Sequence, residues 1–409
     1  MKSHRKDYID VLRGMAVGSM LIWHTASSWV VPAAHTGLAW SLLRSIGGMG
    51  APLFLLLAGV SIALKPNRFI SPGIDMGLVH RGLQIMLLGY LLRLQMWLID
   101  SSALFHPVGW QCYVPLLLGF AAAWQTLAQW RALHQQRISL IQSARLLGWA
   151  SLALLSLWVG YARVAQLFPA RWNGLLRVDV LQIIGVSLVL VAVLITYVRR
   201  PMVWIALAVM VTLLAWPLAH VLPGPFPAPL AAYFARWPLH GERQMAMFPL
   251  FPWFAYLLVG LTAGRWIQSK STSSALLWLA PLGLLGAYLT GETRMLAHDL
   301  MTGVLALTHT LRVSYRVFVA TALTAGAYGA SRWARALAMP LRMYGQTSLL
   351  IYWVHLEFAF GKAARLFRPC ESLGEWAVKL AALALLMLGV SYARLKYISS
   401  RLYSPATSR

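Results

Sequence analysis

The chain has 409 residues, 59% hydrophobic and 11% charged, with a mean hydropathy of +0.65. A water-soluble domain of this length cannot bury so much apolar surface, so the composition points to a membrane protein. The net charge of +24 comes from basic residues at the ends of apolar runs, not in a stripe or arm, so nucleic acid is not an expected partner.

Twelve apolar runs are expected to be helices: 8–31, 46–64, 81–99, 109–130, 146–168, 178–198, 202–222, 248–267, 275–291, 313–331, 343–362 and 376–394. Runs of about 20 apolar residues span a bilayer core. The expected fold is therefore all-α, a polytopic transmembrane bundle of about 10–12 spans in one domain over 1–409. The run 109–130 is interrupted by Pro115, and 275–291 is short. The basic MKSHRK head precedes an apolar run too long for a signal-peptide core, so it reads as an uncleaved first helix. With the N-terminus in the cytoplasm, the inside segments carry roughly twice as many Lys and Arg as the outside ones. Both termini are then cytoplasmic. Two long outside loops, Pro223–Met247 and Glu292–Arg312, are of the kind that holds substrate.

The first run, YIDVLRGMAVGSMLIWHTASSWVV, carries Asp10, Arg13 and His24 within a sector about 60° wide. Ionisable groups at membrane depth persist where they face protein or a wet cavity. An imidazole takes and returns a proton near pH 7, or attacks an acyl donor itself, so His24 is the leading catalytic candidate. Asp10 and Arg13 have the spacing of an intrahelical ion pair, which also suits a purely structural role. Gly14 beside them permits close helix approach.

On the third run, Arg81 and Gln84 open the helix and Gln95 returns to the face of Gln84. Arg81 is placed to clamp a phosphate or to anchor the span. Arg93 points elsewhere and is expected to snorkel outward. Asp179 and Gln182 open the sixth run, either to orient an imidazole or to cap the helix. On the eleventh, Ser348, Tyr352 and His355 share one face, with Gln346 and Glu357 opposite. His355 lies at a depth comparable with His24 and is a candidate second histidine.

Cys112 and Cys370 form no disulfide framework, and no metal-ligand spacing occurs. There is no GxSxG elbow, no GxxxxGK[ST] loop and no inverted repeat.

Six segments in order are similar to blocks of one family: RKDYIDVLRGMAVGSMLIWH, GGMGAPLFLLLAGVSIAL, RGLQIMLLGYLLR, RVDVLQIIGVSLVL, FPLFPWFAYLLVGLTAG and YGQTSLLIYWVHLEF. They resemble the heparan-alpha-glucosaminide N-acetyltransferase catalytic-domain family, its bacterial branch in particular. The likeness covers about residues 5–360, leaving an extra C-terminal span at 376–394. The resemblance implies an integral-membrane acyltransferase. Such an enzyme moves an acetyl or other acyl group from cytoplasmic acyl-CoA to a glycan, glycolipid or other cell-envelope acceptor, in a bacterial inner membrane. His24 matches the family's first-helix histidine, and Asp10, Arg13 and Gly14 its opening signature. Asp179, Gln182, Tyr352 and His355 fall in later blocks. Acyl-CoA phosphates would be held by Arg81, Arg13 and Arg68, with Gln84, Gln182, Tyr352 and Ser348 as further binding candidates and no metal. A transporter or flippase of an envelope precursor is the alternative. The sequence leaves the oligomeric state open.

Overall fold

The computed structural model describes residues 7–65, 69, 73–101, 103–133, 139–169, 173–221, 228–234, 246–269, 280–291 and 305–403. Among them the structure is helical, with two isolated β-bridges, Val30 with Cys370 and Val178 with Ala246, and no strand. The helices are α1 Asp7–Trp29, α2 Gly37–Gly47, α3 Gly50–Ala63, α4 Met76–Ser101, α5 Trp110–Leu133, α6 Leu140–Leu167, α7 Asn173–Leu176, α8 Val180–Tyr197, α9 Pro201–Val221, α10 Ala228–Phe234 and α11 Leu250–Ser269. They continue as α12 (280–291), α13 Leu305–Trp333, α14 Arg335–Gln346, α15 Ser348–Ala359 and α16 Leu373–Tyr403.

Among the described residues, seven helical runs are long and apolar enough to cross a membrane: Gly37–Ala63, Met76–Ile99, Leu140–Leu167, Val180–Tyr197, Pro201–Ala219, Leu250–Ile267 and Leu373–Ile398. This is an all-α polytopic membrane protein. Large apolar side chains face outward on them, as lipid requires: Leu154 and Trp158 on α6, Val378 and Leu385 on α16. α1 is not among the seven, because its polar residues lower its hydropathy. Its length, about 34 Å at 1.5 Å per residue, is nevertheless that of a span.

The chain forms two compact units. The first comprises residues 1–60, 263–304 and 310–409, and the second residues 61–262 and 305–309. In the second, α4 packs on α8, and α5 on α6. Leu94, Trp97, Cys112, Leu116 and Val164 form one of its buried clusters. In the first, α1 packs against α2, α14, α15 and α16.

Several sequence expectations need correction. The eleventh run is not one helix. It breaks at Thr347 (φ −114°, ψ 18°) into α14 and α15. Thr347 Oγ1 donates to Met343 O at 2.9 Å and shares a 2.7 Å hydrogen bond with Ser391. The two halves lie along α1 in opposite senses. Leu341 meets Gly14 and Gly345 meets Asp10, whereas His355 meets His24 and Ala359 meets Ser28. The chain therefore turns back at Thr347. α2 was not expected as a helix of its own. Of the two predicted outside loops, 228–234 is the helix α10, and 305–312 belongs to α13. The rest of both loops lies outside the described residues, apart from the short stretch at 246–247. Pro115 does not interrupt α5, which runs through it.

The crossing of α1 with α14 is backbone on backbone. A Cβ at Gly14 would stand 1.8 Å from Leu341 O, and one at Gly345 1.9 Å from Asp10 O. Small residues at such crossings let two helix backbones touch. Gly18, one turn on, has nothing within 4 Å of its would-be Cβ. We expect Gly14→Ala and Gly345→Ala to destabilise the protein by about 1–3 kcal/mol or more, the range for overpacking. Gly18→Ala should be neutral or mildly stabilising. Thermal unfolding and size-exclusion profiles in detergent check this; equal melting of Gly14→Ala and Gly18→Ala would refute the crossing.

Candidate functional site

His24 sits five residues before the end of α1 and is half-buried, whereas His355 on α15 is fully buried. Nδ1 of His24 lies 2.8 Å from Nε2 of His355. The rings are nearly parallel, with centroids 5.1 Å apart. Phe360 packs on His24 at 5.3 Å, and Tyr352 meets His355 edge-on at 5.8 Å. Three hydrogen bonds fasten this end of α1. Ser28 Oγ donates to Ala359 O, Trp29 Nε1 to Phe358 O at 3.1 Å, and Trp376 Nε1 to Thr25 Oγ1 at 3.0 Å.

The second bond of His355 orders the protons. Its Nδ1 lies 2.9 Å from Ile351 O, and a carbonyl only accepts. In the neutral pair His355 therefore carries its proton on Nδ1 and presents the Nε2 lone pair. The proton between the rings then belongs to His24 Nδ1, and His24 Nε2 is left with a lone pair. That is the nitrogen a general base or nucleophile needs.

Asp10 and Arg13 do not join this site. They stand 14 and 11 residues back along α1, about 21 and 16 Å at 1.5 Å per residue. Arg13 Nη1 bonds Asp10 Oδ1 at 3.2 Å, and Gln346 Nε2 reaches Asp10 Oδ2 at 3.4 Å. The Asp10 carboxylate is 1% exposed, so these partners offset its burial. Ser348 is half-buried at the start of α15, about 10 Å below His355 along the helix.

Asp179, Gln182, Arg81 and Gln84 belong to the second unit. Asp179 caps α8. Its carboxylate accepts from Val180 N at 2.9 Å, and Gln182 Oε1 accepts from Asp179 N at 3.2 Å, a capping box. The same carboxylate pairs with Arg93, which corrects the expectation that Arg93 snorkels outward. Gln182 is fully buried. Three residues before Arg93, the Tyr90 hydroxyl meets that of Tyr233, 143 residues away in the chain. Burial first, and Tyr90 second, push the Tyr233 phenol far above its ordinary range, so it stays neutral. No local pattern links Arg93 to Asp179 or Tyr90 to Tyr233. Arg81 is exposed at the start of α4, and Gln84 is half-buried one turn on. Arg68 lies outside the described residues. Among the described residues no group of three His, Cys, Asp or Glu side chains could hold a metal ion.

The fold defines an integral-membrane protein of many helices, with an imidazole pair held inside one unit. Residues 5–292, more than half of the chain, match the family described as heparan-alpha-glucosaminide N-acetyltransferase, catalytic, and the chain belongs to that family. It is thus a membrane enzyme of the acetyltransferase type. No curated protein and no solved structure matches it. His24 and Asp179 lie inside the matched residues. Ser348, Tyr352 and His355 lie beyond them, so the match does not extend to the expected sixth block or to residue 360.

The two roles of Asp179 separate by substitution. Asp179→Asn keeps a good cap and loses the ion pair, and Asp179→Ala loses both. We expect the alanine variant to be the less stable by about 0.5–2 kcal/mol, the worth of an N-cap. Thermal unfolding of both variants measures it, and identical melting would deny the cap its weight.

Proposed function

We propose that this enzyme transfers an acetyl or other acyl group from acyl-CoA to a sugar-bearing cell-envelope acceptor, with His24 as general base or transient acyl carrier. The observation that carries the reading is the contact between His24 and His355, which leaves the half-exposed ring's Nε2 with its lone pair. Family membership supports acetyl transfer in general. The excess of Lys and Arg on the N-terminal side supports cytoplasmic termini and entry of acyl-CoA from that side, in an inner membrane.

In the direct route the acceptor's N–H or O–H gives its proton to His24 Nε2 as its heteroatom attacks the thioester carbonyl. The C–S bond breaks, and the proton passes to the departing thiolate. In the two-step route Nε2 attacks first and CoA leaves as the thiolate; the acceptor then takes the acyl group from the ring, and the proton it loses balances that thiolate as CoA thiol. His355 would hold the His24 tautomer in both routes, and Tyr352 would hold the His355 ring. In this reading the carboxylates of Asp10 and Asp179 serve structure, and Ser348 is a secondary binding candidate.

The test is transfer of labelled acetyl groups and release of CoA thiol by the purified protein in nanodiscs. His24→Ala should cut both by at least about 10²–10⁴, the usual worth of a general base. His355→Ala should cost less, about tenfold, in line with one hydrogen bond of roughly 0.5–1.5 kcal/mol. Wild-type rates in a well-folded His24→Ala protein would rule the role out. Movement of an envelope precursor with no CoA thiol released would favour a transporter.

A further inference from the structure

His80 is a buried imidazole outside the histidine pair. It sits at the second turn of α4 and is 5% exposed. Neither Nδ1 nor Nε2 has a hydrogen-bond partner among the described residues. We propose that His80, with Arg81 and Arg131, holds the headgroup phosphate of an anionic phospholipid at this end of α4 and α5. The inference goes beyond acyl transfer and does not depend on it.

The imidazole is the first argument. A neutral ring carries one N–H and one lone pair, and buried side chains almost always find partners for such groups. The His80 ring is aimed at the end of α5. Its centroid is 6.0 Å from the Trp130 ring, and the charges of Arg131 and Arg81 both act on it. A phosphate there would accept the imidazole N–H and the forked donors of the guanidiniums together.

Charge is the second. Arg81 and Arg131 are exposed, and neither guanidinium has an ion pair or hydrogen bond among the described residues. Asp75, at the start of α4, is engaged in capping it: its Oδ1 accepts from Leu78 N at 2.9 Å. A third arginine flanks the pair. A Cβ at Gly119 on α5 would stand 2.7 Å from Leu157 on α6, and one at Gly160 2.6 Å from Leu116, so the two helices run antiparallel. Arg131 lies 12 residues beyond Gly119, and Arg145 lies 12 before Leu157. Both therefore stand about 18 Å from that contact, at the same height. A zwitterionic headgroup would bring a cation of its own to these arginines, whereas an anionic one brings only the charge they lack.

The third is depth. His80 and Arg131 lie within about two turns of their helix ends, in the interfacial zone where tryptophans such as Trp130 are favoured. α5 packs on both α4 and α6, two of the runs apolar enough to span. Arg131 ends an exposed stripe of α5 formed by Leu117, Ala121, Trp124 and Ala128 at helical spacing. A phospholipid whose phosphate meets Arg131 lays its acyl chains along that stripe. One occupant then satisfies both the cations and the apolar face, which a soluble phosphate does not.

The experiment titrates the full protein in detergent with phosphatidylglycerol or phosphatidylcholine, read by native mass spectrometry and thermal unfolding. The first phosphatidylglycerol should bind about ten-fold or more tighter than the first phosphatidylcholine and raise the melting temperature. Arg81→Gln/Arg131→Gln should lose that preference. Arg332→Gln/Arg335→Gln removes the same charge from exposed arginines of the other unit and should keep it. His80→Phe keeps a ring and loses its nitrogens. It should bind phosphatidylglycerol about ten-fold more weakly than wild type, yet melt no lower in phosphatidylcholine alone. Equal affinity of wild type for the two lipids overturns the proposal. So does a preference that survives Arg81→Gln/Arg131→Gln, or one that falls as far in Arg332→Gln/Arg335→Gln. Should His80→Phe fail to fold, the two arginine variants decide. Displacement of bound phosphatidylglycerol by inorganic phosphate or CoA would assign the site to a soluble phosphate and overturn the lipid role.

Discussion

The polar side chains of α1 depend on a chain reversal at Thr347. A membrane helix can keep a carboxylate, a guanidinium and an imidazole only if protein groups meet each of them. One continuous helix beside α1 could lie along it in one sense only. Breaking it gives two short helices of opposite sense. α14 brings Gln346 and Gly345 to Asp10, and α15 brings His355 to His24. The break has partners of its own: Thr347 bonds back to Met343 and across to Ser391 on α16. Tyr344 on α14 also donates to Ala384 O of α16. The segment with least claim to be a simple span thus completes the most polar one.

The resulting unit divides one stripe into two functions. At the N-terminal end, Asp10, Arg13 and Gln346 form a closed set of acid, base and amide, and the glycine crossing beside it leaves no room for slip. At the other end the imidazole pair joins a buried ring, His355, to a half-buried one, His24. A carboxylate buried among its partners is suited to fixing position, and a half-buried imidazole to exchanging protons with a substrate.

Much of this was legible in the sequence, and what was hidden was hidden for physical reasons. Apolar runs announced the helices, since a span needs about 20 apolar residues whatever its neighbours are. The Asp179-x-x-Gln182 box is local, so its capping role was readable. The shared face of Asp10, Arg13 and His24 followed from helical periodicity alone. The break at Thr347 was not readable, because Tyr344-Gly345-Gln346-Thr347 contains no proline and the turn is stabilised by Ser391, 44 residues away. Arg93 looked like a snorkelling cation because its partner Asp179 lies 86 residues on. Sequence could place His24 and His355 at similar depth, but only the tertiary fold brings rings 331 residues apart to 2.8 Å. α2, eleven residues long, is too short to register as a span of its own.

The glycine crossing and the histidine contact are mechanically one device, because they lie on the same helix. An α-helix is stiff along its axis, so fixing Gly14 against Leu341 fixes the height of His24 about 15 Å further on. A slip of one turn, 5.4 Å, would carry His24 Nδ1 out of hydrogen-bond reach of His355. The lateral bonds at Thr25, Ser28 and Trp29 then hold the ring's azimuth. Hydrogen-bond partners near 3 Å tolerate only a few tenths of an ångström of error, and a single flexible contact at the histidines would not supply that. The polar clamp at the far end of α1, remote from any chemistry, is the part of the structure that sets the distance on which the imidazole pair depends.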